Sequence, residues 1–156
     1  MANKHDALAY KASELLLRQL RSGEAGEWAP SALTAETTLW SGIADWPRPD
    51  FAFQDASQDA SLAGEFKPPG HARREYVTGI GQCLTYLDAF DYSLIVLPEH
   101  SIDRFGIAEY LAGLLRDPTL AEAAIGVMAY ARDPSHACHV VKPIPERSGE
   151  RPGIPK

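Results

Sequence analysis

The chain has 156 residues, of which 45% are hydrophobic and 23% are charged, and its formal net charge is −6. These values fit one globular domain with a substantial core, and the acidic balance argues against a protein that coats nucleic acid non-specifically. The two cysteines are too few for a disulfide scaffold, and with no leader and no apolar run near the roughly 20 residues of a membrane span, we expect a cytoplasmic protein.

The first half of the chain predicts one helix and three strands. The spacing of apolar residues indicates an amphipathic helix over 5–22. A β-prone segment at 36–43, an alternating segment at 50–56 and a third segment at 61–67 are separated by turn-like and proline-rich sequence. The chain is therefore expected to open with a helix that is followed by three strands.

The second half of the chain predicts helices that alternate with strands. Helical periodicity runs from 73 to 89, and a second helix is predicted over 104–116. The nearly uninterrupted apolar run at 92–98 is typical of a strand that is covered on both faces. Further strands are predicted at 123–131 and 137–144. The inward stripe of the helix at 73–89 is predicted to consist of Tyr76, Val77, Ile80, Leu84 and Leu87.

This order of elements predicts an α/β fold in which one mixed central sheet is flanked by helices. We expect the folded domain to span residues 1–142. The segment 143–156 is rich in proline and charge, so it is predicted to be an irregular tail or a linker.

A carboxylate and an amine stand two residues apart in the third predicted strand. Because side chains alternate between the faces of a strand, Glu65 and Lys67 should project from one face, about 7 Å apart along the backbone. Pro68 and Pro69 then end the strand, which places the pair where the sheet opens. A Glu-x-Lys tripeptide alone is more often a solvated ion pair that contributes about 0–1 kcal/mol.

A second carboxylate, from Asp50, is expected beside this pair. Asp50 follows Pro49 at the start of the preceding predicted strand, and an antiparallel neighbour about 4.8 Å away would bring it next to Glu65. Two facing carboxylates repel each other unless a proton or a cation lies between them. A hard divalent cation, Mg²⁺ first, is the natural occupant. Asp55 is the alternative to Asp50 if the strand register differs.

The helix that follows the third strand carries a polar ridge. Arg74, Thr78, Gln82 and Tyr86 are each four residues apart, so they share one helix face. Taken alone, Gln82 is an ordinary exposed helix residue. If the helix packs on the sheet by its apolar stripe, however, Gln82 would reach the border of the carboxylate site.

Together these residues resemble the PD-(D/E)xK nuclease superfamily, whose members have the restriction-endonuclease-like fold. Residues 48–50 look like its Pro-Asp motif, residues 65–67 look like its (D/E)-x-K motif, and residues 82–86 are similar to the Gln-x-x-x-Tyr element of RecB-like members. The predicted helix, three strands, helix and strand also match the αβββαβ core of that fold. The resemblance therefore covers most of residues 5–98.

The resemblance implies a Mg²⁺-dependent endonuclease that hydrolyses DNA phosphodiester bonds, with Mn²⁺ as a substitute ion. Its catalytic residues would be Asp50, Glu65, Lys67 and Gln82. Asp50, Glu65 and the backbone carbonyl of Phe66 would bind the metal. Lys67 would orient or help to deprotonate the attacking water, and Gln82 would position water or phosphate.

The resemblance also implies supporting residues around these four. Glu14 on the first helix would be a further metal ligand, as first-helix acids are in some members, although a helix-surface acid is more often ordinary. Tyr86 would support the site. Arg73 and Arg74 would contact DNA phosphates as part of a basic rim.

Two functions follow from this interpretation. The first is a DNA endonuclease of the restriction, defence or DNA-processing type that acts as a homodimer or in a larger assembly and has no membrane partner. The second is a catalytically silent nuclease-fold module that binds nucleic acid or a protein partner. A zinc site is not predicted, because His136, Cys138 and His139 have no second ligand pair.

Overall fold

The strands predicted from the sequence pair into one sheet that carries helices on both faces. The computed structural model describes residues 4–24, 27–40, 48–131 and 138–146. The elements within these ranges are α1 (Lys4–Ser22), β1 (Thr37–Leu39), β2 (Phe51–Asp55), β3 (Ala60–Phe66), α2 (Arg73–Tyr86), β4 (Tyr92–Pro98), α3 (Ile107–Arg116), β5 (Ile125–Tyr130) and β6 (His139–Lys142). The predicted α/β class with a mixed sheet is confirmed.

The six strands follow one another across the sheet in the order β1-β2-β3-β4-β5-β6. β1, β2 and β3 pair antiparallel, β3, β4 and β5 pair parallel, and β6 returns antiparallel to β5. Parallel neighbours need a crossover connection, and α2 and α3 provide the two crossovers. The C-terminal ends of β3, β4 and β5 therefore lie at the same end of the sheet.

The sheet separates two hydrophobic clusters. α1 packs on one face, and α2 and α3 pack on the other. β4 contributes side chains to both clusters. Leu94 and Val96 pack in the cluster on the α1 side, and Ile95 and Leu97 pack in the cluster on the opposite side. This double coverage confirms the interpretation of the apolar run at 92–98.

The inward face of α2 differs from the predicted stripe. Val77 and Leu84 were expected to face the core, but each is 38% exposed. The buried residues of this helix are Tyr76, Gly79, Ile80, Cys83 and Tyr86. The helix is thus rotated so that a tyrosine faces the sheet, because the hydroxyl of Tyr86 meets a buried carboxylate there.

Gly79 lets α2 approach the sheet closely. A Cβ atom at this position would lie 2.5 Å from Cδ1 of Ile95 and 3.1 Å from Cε of Lys67. At Gly81, by contrast, an added Cβ would meet nothing within 4 Å. The close approach at Gly79 places the alkyl stem of Lys67 directly against α2.

The segment predicted to be a tail begins with packed residues. Residues 143–146 form neither helix nor strand, yet Ile144 is buried and its N–H donates to the carbonyl of Trp28 at 3.0 Å. The remainder of the predicted tail, the end of the first predicted strand (41–43) and His136 lie outside the described residues. Within the described ranges, no helix combines the length and the apolar character needed to cross a bilayer.

Candidate active site

The end of the pairing between β2 and β3 brings Asp50 beside Glu65. Phe51, the first residue of β2, pairs with Gly64. The N–H of Asp50 donates to the carbonyl of Gly64 at 2.9 Å, and its carboxylate accepts the N–H of Phe66 at 2.7 Å, so Asp50 contacts the residues on either side of Glu65. Gly64 is required there because a Cβ atom would collide with the ring of Phe51.

Glu65 is a buried carboxylate, with 5% of the residue exposed. Its Oε1 accepts a hydrogen bond from the hydroxyl of Tyr86, and its Oε2 lies 3.3 Å from Nζ of Lys67. Burial raises the pKa of Glu65 and the charge of Asp50 raises it further, although Tyr86 and Lys67 act in the opposite direction. A cation placed beside Glu65 would therefore stabilise its ionised form.

The side chain of Asp50 is partly enclosed, with 22% of it exposed, whereas the residue as a whole is exposed. Its Oδ2 accepts the backbone N–H of Phe66 at 2.7 Å, which fixes the orientation of the carboxylate. Burial raises the pKa of Asp50 and outweighs the lowering effects of the Phe66 amide, His5 and Lys67. Because a carboxylate offers about four lone-pair sites, this hydrogen bond leaves Asp50 capacity to bind a cation.

Lys67 connects the carboxylates to α2. Its Nζ donates to Oε1 of Gln82 at 2.7 Å while it pairs with Glu65. The Lys67 side chain is 17% exposed, and Gln82 is exposed. The ammonium group therefore lies between the buried acid and the solvent, with Gln82 on its outer side.

The backbone around Lys67 is fixed by two tyrosine hydroxyls. Tyr130 donates to the carbonyl of Lys67 at 2.7 Å, and Tyr76 donates to the carbonyl of Pro68 at 2.7 Å. The N–H of Lys67 donates in turn to the carbonyl of Val96 at 2.8 Å. These contacts hold the end of β3 in place, so the spacing between the acid and the amine is set by the backbone.

His5 on α1 is a residue of this site that sequence analysis missed. Its Nε2 lies 3.0 Å from the carbonyl oxygen of Phe66 and 3.7 Å from Oδ2 of Asp50. Partial burial lowers the pKa of His5, but the Phe66 carbonyl and the carboxylates of Asp6 and Asp50 outweigh burial and raise it overall. A single histidine in the first turn of a helix gives no periodic signal, and only the contact between α1 and β3 reveals it.

The groups available to a metal ion are two carboxylates and one backbone carbonyl. Within the described part of the chain, no three His, Cys, Asp or Glu side chains converge into a metal cluster. The carbonyl of Phe66 supplies a third oxygen, and its two lone pairs allow it to accept from His5 and still bind a cation. Hard oxygen donors of this kind suit Mg²⁺, which usually retains several water ligands.

Glu14 and Asp55 lie away from the two carboxylates. Glu14 is exposed on α1 and follows His5 by nine residues, which is about 13 Å along a helix. Asp55 is fully buried at the other end of β2. The register pairs Asp55 with Ala60, so Asp50, and not its alternative Asp55, lies beside Glu65.

The two arginines predicted to contact phosphate have different surroundings. Nε of Arg73 donates to Asp103 at 2.9 Å, and its guanidinium lies 3.9 Å from the ring centroid of Phe105. A phosphate would have to compete with both contacts. Arg74 is exposed, and it precedes Gln82 by two helical turns on the same ridge of α2.

The four residues predicted to be catalytic form one cluster, in which Lys67 contacts Glu65 and Gln82 while Asp50 accepts the N–H of Phe66, the residue between Glu65 and Lys67. No protein-family model matches the chain, and no curated protein is recognisably similar to it in sequence. The function is therefore inferred from the fold and from this cluster.

Proposed function

We propose that the chain is a Mg²⁺-dependent endonuclease that hydrolyses the phosphodiester bonds of DNA and has the restriction-endonuclease-like fold. One arrangement carries the proposal: the Asp50 carboxylate accepts the N–H of Phe66, the residue next to Glu65, at 2.7 Å, and Nζ of Lys67 is 3.3 Å from Glu65. The order α1, β1, β2, β3, α2, β4 agrees with the αβββαβ core that the resemblance implies.

Asp50, Glu65 and the carbonyl of Phe66 are the groups that would hold Mg²⁺. When bound, the ion would neutralise charge on the scissile phosphate and lower the pKa of a coordinated water. The raised pKa values of both carboxylates support this assignment, because each acid pays a cost for its charge that a cation would offset. Mn²⁺ would substitute, since it accepts the same oxygen donors.

Lys67 and Gln82 would act on the attacking water and on the phosphate. The Lys67 ammonium is held between Glu65 and Gln82, so it can orient the water and oppose the negative charge that develops on the phosphate. The carbonyl oxygen of Gln82 already accepts from Lys67. Its amide N–H₂ group is therefore the part that would donate to water or phosphate.

Tyr86 and His5 would position the groups that bind the metal. Burial and the hydrogen bond to Glu65 raise the pKa of Tyr86, so its hydroxyl stays protonated and continues to donate. His5 would orient the Phe66 carbonyl through the contact between its Nε2 and that oxygen. Partners of this kind set the direction of the ligands that they contact.

The second candidate function is a catalytically silent module of the same fold that binds nucleic acid or a protein partner. It is favoured by the scarcity of side-chain ligands, because the described residues contain no cluster of three metal-binding side chains. In that case the pairing of Glu65 with Lys67 would be a structural ion pair.

Nicking of supercoiled plasmid DNA distinguishes the two functions. The wild-type protein is expected to nick in Mg²⁺ and not in a chelator, and Glu65→Gln or Lys67→Met should each slow nicking by about 100-fold or more. Glu36→Gln and Lys11→Met remove the same charges at exposed positions and should retain activity. Folded wild-type protein that binds DNA but cuts none in Mg²⁺ or Mn²⁺ would establish the silent module instead.

A further inference from the structure

A concave pocket of about 600 Å³ lies between α1 and the edge of the sheet formed by β1 and β2. Asp50 is one of its lining residues, so the pocket opens directly beside the proposed active site. A pocket of this volume is large enough for a small organic group such as a nucleotide base. Its occupant would therefore be the part of a substrate that adjoins the reacting phosphate.

Three aromatic residues line the pocket: Tyr10, Trp40 and Phe51. Tyr10 is 57% exposed, although a tyrosine ring of this kind is usually more enclosed. Phe51 is buried in the core. Trp40 is partly buried, and its ring packs at 5.2 Å from that of Phe90, in the cluster that Tyr86 of α2 joins on the other face of the sheet. Tyr10 is therefore the aromatic ring of the pocket that is open to a ligand.

The polar residues of the pocket narrow the class of ligand. Arg48 is the single basic residue among the described residues that line it, beside the acids Asp6 and Asp50, and it is exposed. A guanidinium group can stack on a base or bind a phosphate in a bidentate manner. Proteins that bind single-stranded nucleic acid combine an exposed aromatic ring with basic groups, since every base has a π face that can stack on the ring.

We infer that this pocket binds an unpaired nucleotide of the DNA strand next to the scissile phosphate, so that the substrate is DNA with a single-stranded segment. The inference rests on the proposed function, because it places the phosphate at Asp50. A base inside an intact duplex is stacked and paired, and it could enter the pocket only after extrusion from the helix. Single-stranded DNA, or a duplex with an unpaired end, can enter without that cost.

Tyr10 provides the test of this inference, because its exposed ring can be removed with little effect on the core. Binding is measured with Glu65→Gln, which should not cleave, by the quenching of a 2-aminopurine base in single-stranded and duplex oligonucleotides in Mg²⁺. The single strand should bind more tightly and show quenching. Adding Tyr10→Ala should weaken single-strand binding by about 5- to 150-fold and abolish the quenching, whereas Tyr10→Phe should retain both.

Tyr110→Ala is the matched control, since Tyr110 is a 46% exposed tyrosine on α3 that does not line the pocket. Equal binding of duplex and single strand, or no effect of Tyr10→Ala, overturns the inference. If the wild-type protein nevertheless nicks plasmid in Mg²⁺, the proposed function stands without this inference. If Tyr10-dependent quenching occurs but the wild-type protein cuts no DNA, the pocket is supported and the endonuclease is not.

Discussion

Asp50 and Asp55 lie at opposite ends of β2 and have opposite electrostatic environments. Asp50 faces another carboxylate, and burial raises its pKa. Burial would also raise the pKa of Asp55, but hydrogen bonds from Ser57, Thr34 and Gln58 outweigh it and lower the pKa. An added cation would therefore stabilise the ionised form of Asp50, whereas hydrogen bonds within the protein already stabilise that of Asp55.

Asp55→Asn should destabilise the protein in a pH-dependent manner. We expect the free energy of unfolding near neutral pH to fall by about 2–3 kcal/mol, because buried donors lose a charged acceptor. The pKa of Asp55 is lowered by folding, so its contribution is present above the unfolded pKa of about 3.9 and is lost as the pH falls below it. Urea unfolding of both proteins across the acid range measures this difference.

The control for that measurement is Asp59→Asn. Asp59 is exposed and has a φ of 50°, a backbone conformation that asparagine also tolerates. Its effect should stay within about 0.5 kcal/mol at every pH. If the difference in the free energy of unfolding between wild type and Asp55→Asn is the same at acid and neutral pH, the charge of Asp55 does not account for its contribution to stability.

His5→Ala should weaken metal binding while it leaves the fold intact. The imidazole contacts the carbonyl of Phe66 at 3.0 Å, and loss of a partner that orients a ligand typically costs about 10- to 100-fold in metal affinity. Calorimetric titration with Mn²⁺ measures the change, and His5→Gln, which keeps a donor, should restore part of the affinity. His100→Ala, at an exposed position, is the control, and equal affinities for all four proteins would exclude the positioning role.

At the scale of the elements, the distance between α2 and the sheet decides whether Lys67 reaches its partners. Gly79 permits this distance because an added Cβ would lie 2.5 Å from Ile95 and 3.1 Å from Lys67. Gly81, two residues along the same helix, has open space around it. The two glycines therefore separate the effect of packing from that of helix propensity.

Gly79→Ala is expected to lower the free energy of unfolding by about 1–3 kcal/mol, because overpacking outweighs the gain in helix propensity. Gly81→Ala should raise it by about 0.5–1 kcal/mol, since only the propensity term applies there. Urea unfolding of both variants provides the comparison. Changes of the same sign in the two variants would show that α2 does not depend on close contact at Gly79.

The same elements show which features can be predicted from the sequence. β4 was predicted with its observed bounds because both of its faces are covered, which leaves a continuous apolar run. The inward face of α2 was not, because Tyr86 displaces Leu84 from the core through a hydrogen bond to Glu65 that no hydrophobic pattern encodes. His5 was missed for a similar reason, since its partners are distant in sequence: one belongs to β3 and the other directly precedes β2.

At the scale of the whole molecule, the proposed function must be reconciled with a formal net charge of −6. Arg73 pairs with Asp103. It is therefore less available to a DNA phosphate than the basic rim predicted from the sequence requires. Arg74 on α2 and Arg48 before β2 remain exposed. A divalent cation at Asp50 and Glu65 would then be the main local positive charge that a DNA phosphate meets.

Anomalous diffraction from a crystal soaked in Mn²⁺ tests most directly whether these two acids share an ion. The account predicts one peak about 2.1 Å from an oxygen of Asp50, an oxygen of Glu65 and the carbonyl of Phe66. It also predicts that the peak disappears in Asp50→Asn. Wild-type crystals at saturating Mn²⁺ in which Glu65 contacts only Lys67 and Tyr86, with no peak between the acids, would contradict it.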